Sequence, residues 1–158
     1  MSRRAQIAMT PEEVRAYLAG QRVINVATMG GNGRPHVAPL FYVPHGEVAG
    51  AVATWTYASS QKAVNLRREP RATVLVESGE TYDQLRGVTM ETDVEILTDV
   101  ERVLAIGTAM SDRYDLTGGA SGPEVEGFLR AQAGKRVGLV FTPTKIVSWD
   151  HAKLGGTY

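Results

Sequence analysis

Apolar residues recur along the chain with two periods, and their alternation predicts the elements. Residues 1–9 are polar and read as a flexible N-terminal arm before a single domain over 10–158. Thr10-Pro11-Glu12-Glu13 starts a helix: Thr10 caps, Pro11 takes the first helical position, and acids fill the first turn. Val14, Tyr17 and Leu18 then form one apolar face, and Gly20 ends the helix. From Arg22 the period changes to two. Val23, Asn25, Ala27 and Met29 share one face of a strand, and Ile24, Val26 and Thr28 the other. Gly30-Gly31-Asn32-Gly33 is a hairpin turn. A second strand over Pro35 to Val43 carries Val37, Pro39, Phe41 and Val43 at period two. After Pro44-His45-Gly46, a third strand runs over Glu47 to Tyr57, and the three are expected to form an antiparallel meander.

The second half follows the same logic. Ser59 to Arg68 is helical, with Ala63, Leu66 and Val64 as its inward residues and Pro70 as its stop. Arg71 to Glu77 and Tyr82 to Leu97 are strands, with Gly87 marking a bulge or a barrel corner. Asp99 to Tyr114 is an amphipathic helix with Val103, Ile106 and Met110 on one face. A Gly-rich loop over 117–122 precedes a short helix, Pro123 to Gln132. Arg136 to Thr142 and Thr144 to Trp149 close the fold as two strands interrupted at Pro143. At least six short strands with few helices predict a mainly β domain, a small closed barrel with peripheral helices.

Composition narrows the function. The chain has no cysteine, which excludes disulfides, thiolate metal sites and thiol nucleophiles and suits a cytoplasmic setting. Its 17 Lys and Arg balance 17 Asp and Glu, so it lacks the basic excess of a nucleic-acid binder. No apolar run approaches the roughly 20 residues that span a bilayer. Three scattered histidines (His36, His45 and His151) lack metal-ligand spacing, so no metal site is expected. A barrel of 158 residues offers a groove rather than a pocket, so a second copy is expected to supply the other wall.

Chemistry concentrates between Trp55 and Arg71. Here a strand enters a helix through Ser59 and Ser60, followed by Gln61 and Lys62. Hydroxyls and free N–H groups at a helix start make an anion site. Lys62 is poorly placed for the helix dipole, a conflict that a bound phosphate removes. Ordinary capping with a solvated lysine explains the same residues equally well. Arg67, Arg68 and Arg71 follow as a basic cluster, either a solvated helix end or a landing strip for a polyanion.

The motif Ser60-Gln61-Lys62-x-x-Asn65-Leu66-x-x-x-Pro70-x-Ala72 resembles the pyridoxamine 5'-phosphate oxidase-like split β-barrel family. Met9 to Glu13, Gly33-Arg34-Pro35-His36 with Pro39, Tyr82-Asp83-x-Leu85-Arg86-Gly87 and Ser148-Trp149-Asp150-His151-x-Lys153-Leu154 are similar to the actinobacterial flavin/deazaflavin oxidoreductases that depend on coenzyme F420. The resemblance implies a homodimeric, antiparallel split β-barrel with cofactor sites at the interface. It implies hydride transfer from reduced deazaflavin to an electron-poor small molecule: an activated alkene, an imine or a quinone-like acceptor. The alternatives are an FMN-dependent oxidoreductase and a non-catalytic F420 carrier. By this resemblance Thr56, Ser59, Ser60, Gln61 and Lys62 hold the cofactor phosphate, and Val37, Ala38, Pro39 and Leu40 lie along its ring. Arg67 and Arg68 are candidates for the coenzyme's oligoglutamate tail, and Tyr42, Tyr57 and His36 for a proton donor. Gln61 stands where many flavin-binding relatives have Arg, which leaves Lys62 as the main cation.

Overall fold

A computed structural model describes residues 2–156. The expected N-terminal arm contains a short helix, α1 (Arg3–Ile7). The helix α2 (Pro11–Gly20) starts at Thr10, whose hydroxyl accepts from Glu13 N–H while the Glu13 carboxylate accepts from Thr10 N–H. The strands are β1 (Val23–Met29), β2 (Pro35–Phe41), β3 (Val43–Pro44), β4 (Val52–Tyr57), β5 (Arg71–Ser78), β6 (Arg86–Leu97) and β7 (Arg136–Asp150). Between them lie α3 (Gln61–Arg68), α4 (Val100–Tyr114) and α5 (Pro123–Ala133). No helix among the described residues is long and apolar enough to cross a membrane.

All seven strands form one antiparallel sheet in the order β2-β1-β5-β6-β7-β4-β3. The sheet's two edges, β2 and β3, are consecutive in sequence and separated only by Tyr42. One residue cannot span the six strand spacings between them, so the sheet must curl until its edges meet. The result is the antiparallel split barrel that the resemblance implies, where strand count alone suggests a closed one.

The expected meander is also corrected. β1 and β2 form a hairpin, but β2 does not pair with β4, which lies at the far side of the sheet between β7 and the short β3. The third strand starts at Val52 rather than Glu47, because 46–50 is a turn with Gly46 and Gly50 at positive φ. Residues Tyr82–Gln84, expected as strand, form a short 3-10 turn. The last two expected strands are one, β7, with Pro143 inside it. Thr144 is the extra residue of a bulge there: Glu91 pairs with Lys145 and Thr92 with Pro143. Gly87 is not the bulge. It faces the Trp149 ring, whose Cζ2 would lie 2.2 Å from a Cβ at that position.

The core has two parts. The inner surface of the curl packs Ile24, Val26, Val74, Val76, Val88, Met90, Leu139 and Phe141 against Val14, Tyr17 and Leu18 of α2 and Ala63 and Leu66 of α3. A second cluster seats Val103, Ile106 and Met110 of α4 and Leu129 and Ala133 of α5 on Val43, Ala53 and Val140. Val64, expected inward, is exposed, and the buried third position of α3 is Asn65.

The apolar period of β2 lies on the face opposite to the core. Val37 is 61% exposed and Phe41 42%, beside Val23 at 41% and Met29 at 44% on β1. Inward positions are His36, Ala38 and Leu40, all half-buried. The sheet over β1 and β2 therefore has an apolar outer face that α4 meets only at Phe41, whose ring stacks on Tyr114 at 4.7 Å, and that is otherwise left exposed at Val23, Met29 and Val37.

Candidate functional site

The turn from β4 into α3 is built as a polar cradle. Ser60 caps α3 and accepts from Ala63 N–H at 3.4 Å. The buried Thr56 hydroxyl donates to Ser60 Oγ at 3.2 Å and accepts from the Lys62 ammonium at 3.2 Å. Among the described residues, no carboxylate lies within ion-pair distance of Lys62. Burial holds its pKa below the ordinary 10.5, since the charge is partly removed from water without a counter-ion. A half-buried cation, two hydroxyls and the opening turn of a helix are the donor set of a phosphate site. Ser59 is exposed beside them, and Gln61 is turned toward the helix itself.

Asn65 fixes this helix to the sheet. It is fully buried; its amide donates to Thr28 Oγ1 of β1 at 3.0 Å, and its Oδ1 accepts from Gln61 Nε2 at 2.9 Å. In the sequence Asn65 stands in the Ser60-to-Ala72 motif with no role marked for it. Its helical spacing from Gln61 was the available signal, but the Thr28 contact spans 37 positions.

Two members of the basic cluster are already engaged. Arg68 donates to the Met29 carbonyl at 2.5 Å, closing α3 over the end of β1. Arg71 lies on β5 in an ion pair with Glu69 at 2.6 Å. Arg67 is exposed and makes no ion pair among the described residues. Of the expected landing strip, Arg68 and Arg71 are thus committed to other groups, and Arg67 is left exposed.

The strand β2 supplies a second element. Gly30 N–H donates to Arg34 O at 2.9 Å just before the strand, so even-numbered residues turn their backbone groups toward β1. Odd-numbered residues turn theirs toward the free edge. Two of these are Pro35 and Pro39, which have no N–H to leave unpaired. The edge thus presents the N–H and C=O of Val37 and the carbonyls of Pro35 and Pro39. Ala38 and Leu40 turn inward, and Leu40 packs on the core. This edge matches a planar ring with polar atoms along one side.

The proton-donor candidates fare differently. Tyr42 is fully buried, donates to Leu18 O at 2.5 Å, and has its pKa raised, first by desolvation. Its hydroxyl serves the core, and it is withdrawn. Tyr57 is 53% exposed but points to the face opposite Thr56, with the Arg136 guanidinium 4.2 Å from its ring centre. His36 faces inward from β2, directly across from Thr28. His45 is exposed, and His151 bonds the Tyr82 carbonyl at 2.8 Å. No group of three metal-ligating side chains is found among the described residues.

Comparison with solved structures places this geometry. A conserved hypothetical protein of Mycobacterium tuberculosis, Rv2991, superposes with a TM-score of 0.87 at 36% identity, over 100% of this chain and 95% of that one. An F420 reductase superposes with a TM-score of 0.65 at 23% identity, over 87% of this chain and 98% of that one. The heme storage protein HutZ of Vibrio cholerae gives 0.65 at 17% identity, over 87% of this chain and 94% of that one. The last two likenesses show the fold alone. No curated protein matches the chain significantly. The family model described as pyridoxamine 5'-phosphate oxidase matches residues 10–150, a span that includes the cradle, the β2 edge and the whole sheet. The chain belongs to the pyridoxamine 5'-phosphate oxidase family.

Proposed function

We propose that this protein is an F420-dependent reductase whose cofactor phosphate sits on Thr56, Ser60 and Lys62. The observation that carries the reading is Lys62, a half-buried ammonium held by one hydroxyl and no carboxylate. A phosphate supplies the missing counter-charge, and the free edge of β2 supplies hydrogen-bonding groups for the ring. The reduced deazaflavin, when bound, brings a hydride at ring C5 for an activated alkene, an imine or a quinone-like acceptor. The protein's own part is to bind, orient and shield. Lys62 and Ser60 anchor one end, the Val37 backbone and the Pro39 carbonyl align the ring, and solvent completes the proton balance. A cytoplasmic setting, where reduced coenzyme is supplied, belongs to the same reading.

The bare outer face of β1 and β2 supports a homodimer. Val23, Met29, Val37 and Phe41 are too exposed for a face left in water, and a second copy would cover them and wall the groove. Sedimentation at micromolar concentration is expected to give the dimer mass, and a monomer would refute this part.

Deazaflavin is favoured over FMN because Gln61, not Arg, precedes Lys62 and is spent on Asn65. Titration of the purified protein with F420 and FMN side by side tests the choice; tight FMN binding without F420 binding sinks it. Turnover of reduced F420 with a panel of acceptors, compared with coenzyme alone, separates an enzyme from a carrier.

A further inference from the structure

Beyond the Thr144 bulge, one edge of β7 has no partner strand. β4 follows β7 only as far as the Val52–Phe141 pair, while β6 follows it to Asp150. His151 N–H donates to the Leu85 carbonyl at 3.0 Å, so the odd-numbered residues of this stretch turn their backbone groups toward β6. Ile146 and Ser148 turn theirs toward the open edge, where no strand meets them. Their side chains share the inner face of the sheet with Met90 and Val88, their buried partners on β6.

The segment that leads from α1 into α2 covers this end of β7. Met9 N–H donates to Ser148 Oγ at 2.9 Å. Lys153 holds the same segment by donating to the Ala8 carbonyl at 2.8 Å and to the Glu13 carboxylate at 2.6 Å. The cover is incomplete. A groove of about 430 Å³ remains between α1, the start of α2, Ala49 and β7. That volume is in the range of small-molecule sites. Ala8, Met9, Val14, Ala49 and Ile146 give the groove apolar walls. Its one charged lining residue is Arg4 of α1, which forms no ion pair among the described residues. Ser148 also lines it; the hydroxyl oxygen accepts from Met9, and the hydroxyl proton is given to no acceptor among the described residues. Apolar walls, an uncommitted guanidinium and a free hydroxyl donor match a ligand that is apolar along its body and anionic at one end.

We propose that this groove is a second binding site, for a small apolar carboxylate. The carboxylate sits on Arg4 and Ser148, and the apolar body lies along Met9, Val14 and Ile146. The cradle is at the other end of β7, beside Arg136, and the two sites share no residue.

Decanoate is the probe, and decanol its uncharged match. Each is added to the full-length protein while the methyl resonances of Ile146 and Met9 are followed by NMR. Decanoate is expected to shift both methyls saturably. Arg4→Gln is expected to weaken decanoate about two- to fivefold, the range of a solvent-exposed ion pair, and to leave decanol unchanged. Arg4 is exposed, so this variant keeps the fold, and its methyl spectrum verifies that. Ala49→Leu, which fills the groove, is expected to weaken both ligands. Ile146 and Met9 methyls unmoved by millimolar decanoate overturn the site, as does full decanoate affinity in a folded Ala49→Leu. Equal effects of Arg4→Gln on decanoate and decanol overturn the carboxylate assignment.

Discussion

The Lys62 ammonium donates to the Thr56 hydroxyl at 3.2 Å, and that hydroxyl donates onward to Ser60 Oγ at 3.2 Å. The pair joins the end of β4 to the start of α3 and directs a positive charge into a turn otherwise built from neutral groups. Replacing Lys62 by Ala is expected to weaken binding of the phosphate-bearing cofactor about 10- to 150-fold, the range of a charge-assisted hydrogen bond at about 1.5–3 kcal/mol. The apo protein should melt no lower, because a partly desolvated charge is removed. Titration and thermal melting together check this; unchanged affinity contradicts the phosphate assignment.

The same residue sets a pH dependence. Burial lowers the pKa of Lys62 in the free protein, and a bound phosphate raises it again by favouring the charged form. Protons are therefore taken up on binding in the alkaline range. Affinity is expected to hold near neutrality and to fall as the pH rises through the free-state pKa. It should level off above the bound-state value. Titrations between pH 7 and 10.5 check the sign, and Lys62→Ala should lose this part of the slope.

Asn65 is fully buried with partners on both sides, Thr28 and Gln61. Asn65→Leu is expected to destabilise the fold by about 1–3 kcal/mol, because it leaves the buried Thr28 hydroxyl without its donor. Chemical denaturation measures this. The cofactor should also bind more weakly, since α3 loses its tie to β1.

Gly107 of α4 lies against Trp55, whose Cζ3 would be 2.2 Å from an added Cβ. The Trp55 ring is itself held under the Arg136 guanidinium, 4.8 Å from its centre. A rigid ring so held has little room to yield. Gly107→Ala is expected to cost about 1–3 kcal/mol by overpacking, despite alanine's better helix propensity. A denaturation midpoint at or above wild type would show that α4 shifts freely.

Elements governed by near neighbours were legible in the chain. The Thr10 cap, the α3 boundaries near Ser60 and Arg68 and the inward triad of α4 are set by groups within about four positions of one another. The cradle residues were legible for the same reason: Thr56, Ser60 and Lys62 lie within one turn of chain. Arg68 and Arg71 misled because a charge pattern does not show which arginines are already taken, one by a carbonyl 39 positions away. Tyr42 misled in the same way, since its commitment to Leu18 spans 24 positions.

By itself, then, the sequence determined the periods, the caps, the turns and the phosphate-type motif, because these depend on local backbone and side-chain chemistry. It showed that β2 has an apolar face, since Val37 and Phe41 alternate. It did not show which way that face points, since period two is the same from both sides of a sheet. Only the tertiary structure decided that. It sends β3 and β4 to the side of the sheet opposite β2 and curls the sheet until the edges meet. The curl gives the core to Ile24, Val26 and Leu40, and turns Val37 and Phe41 outward. Pairing among distant strands is a competition between whole sheets, won by total burial, and no short stretch of the chain encodes its result.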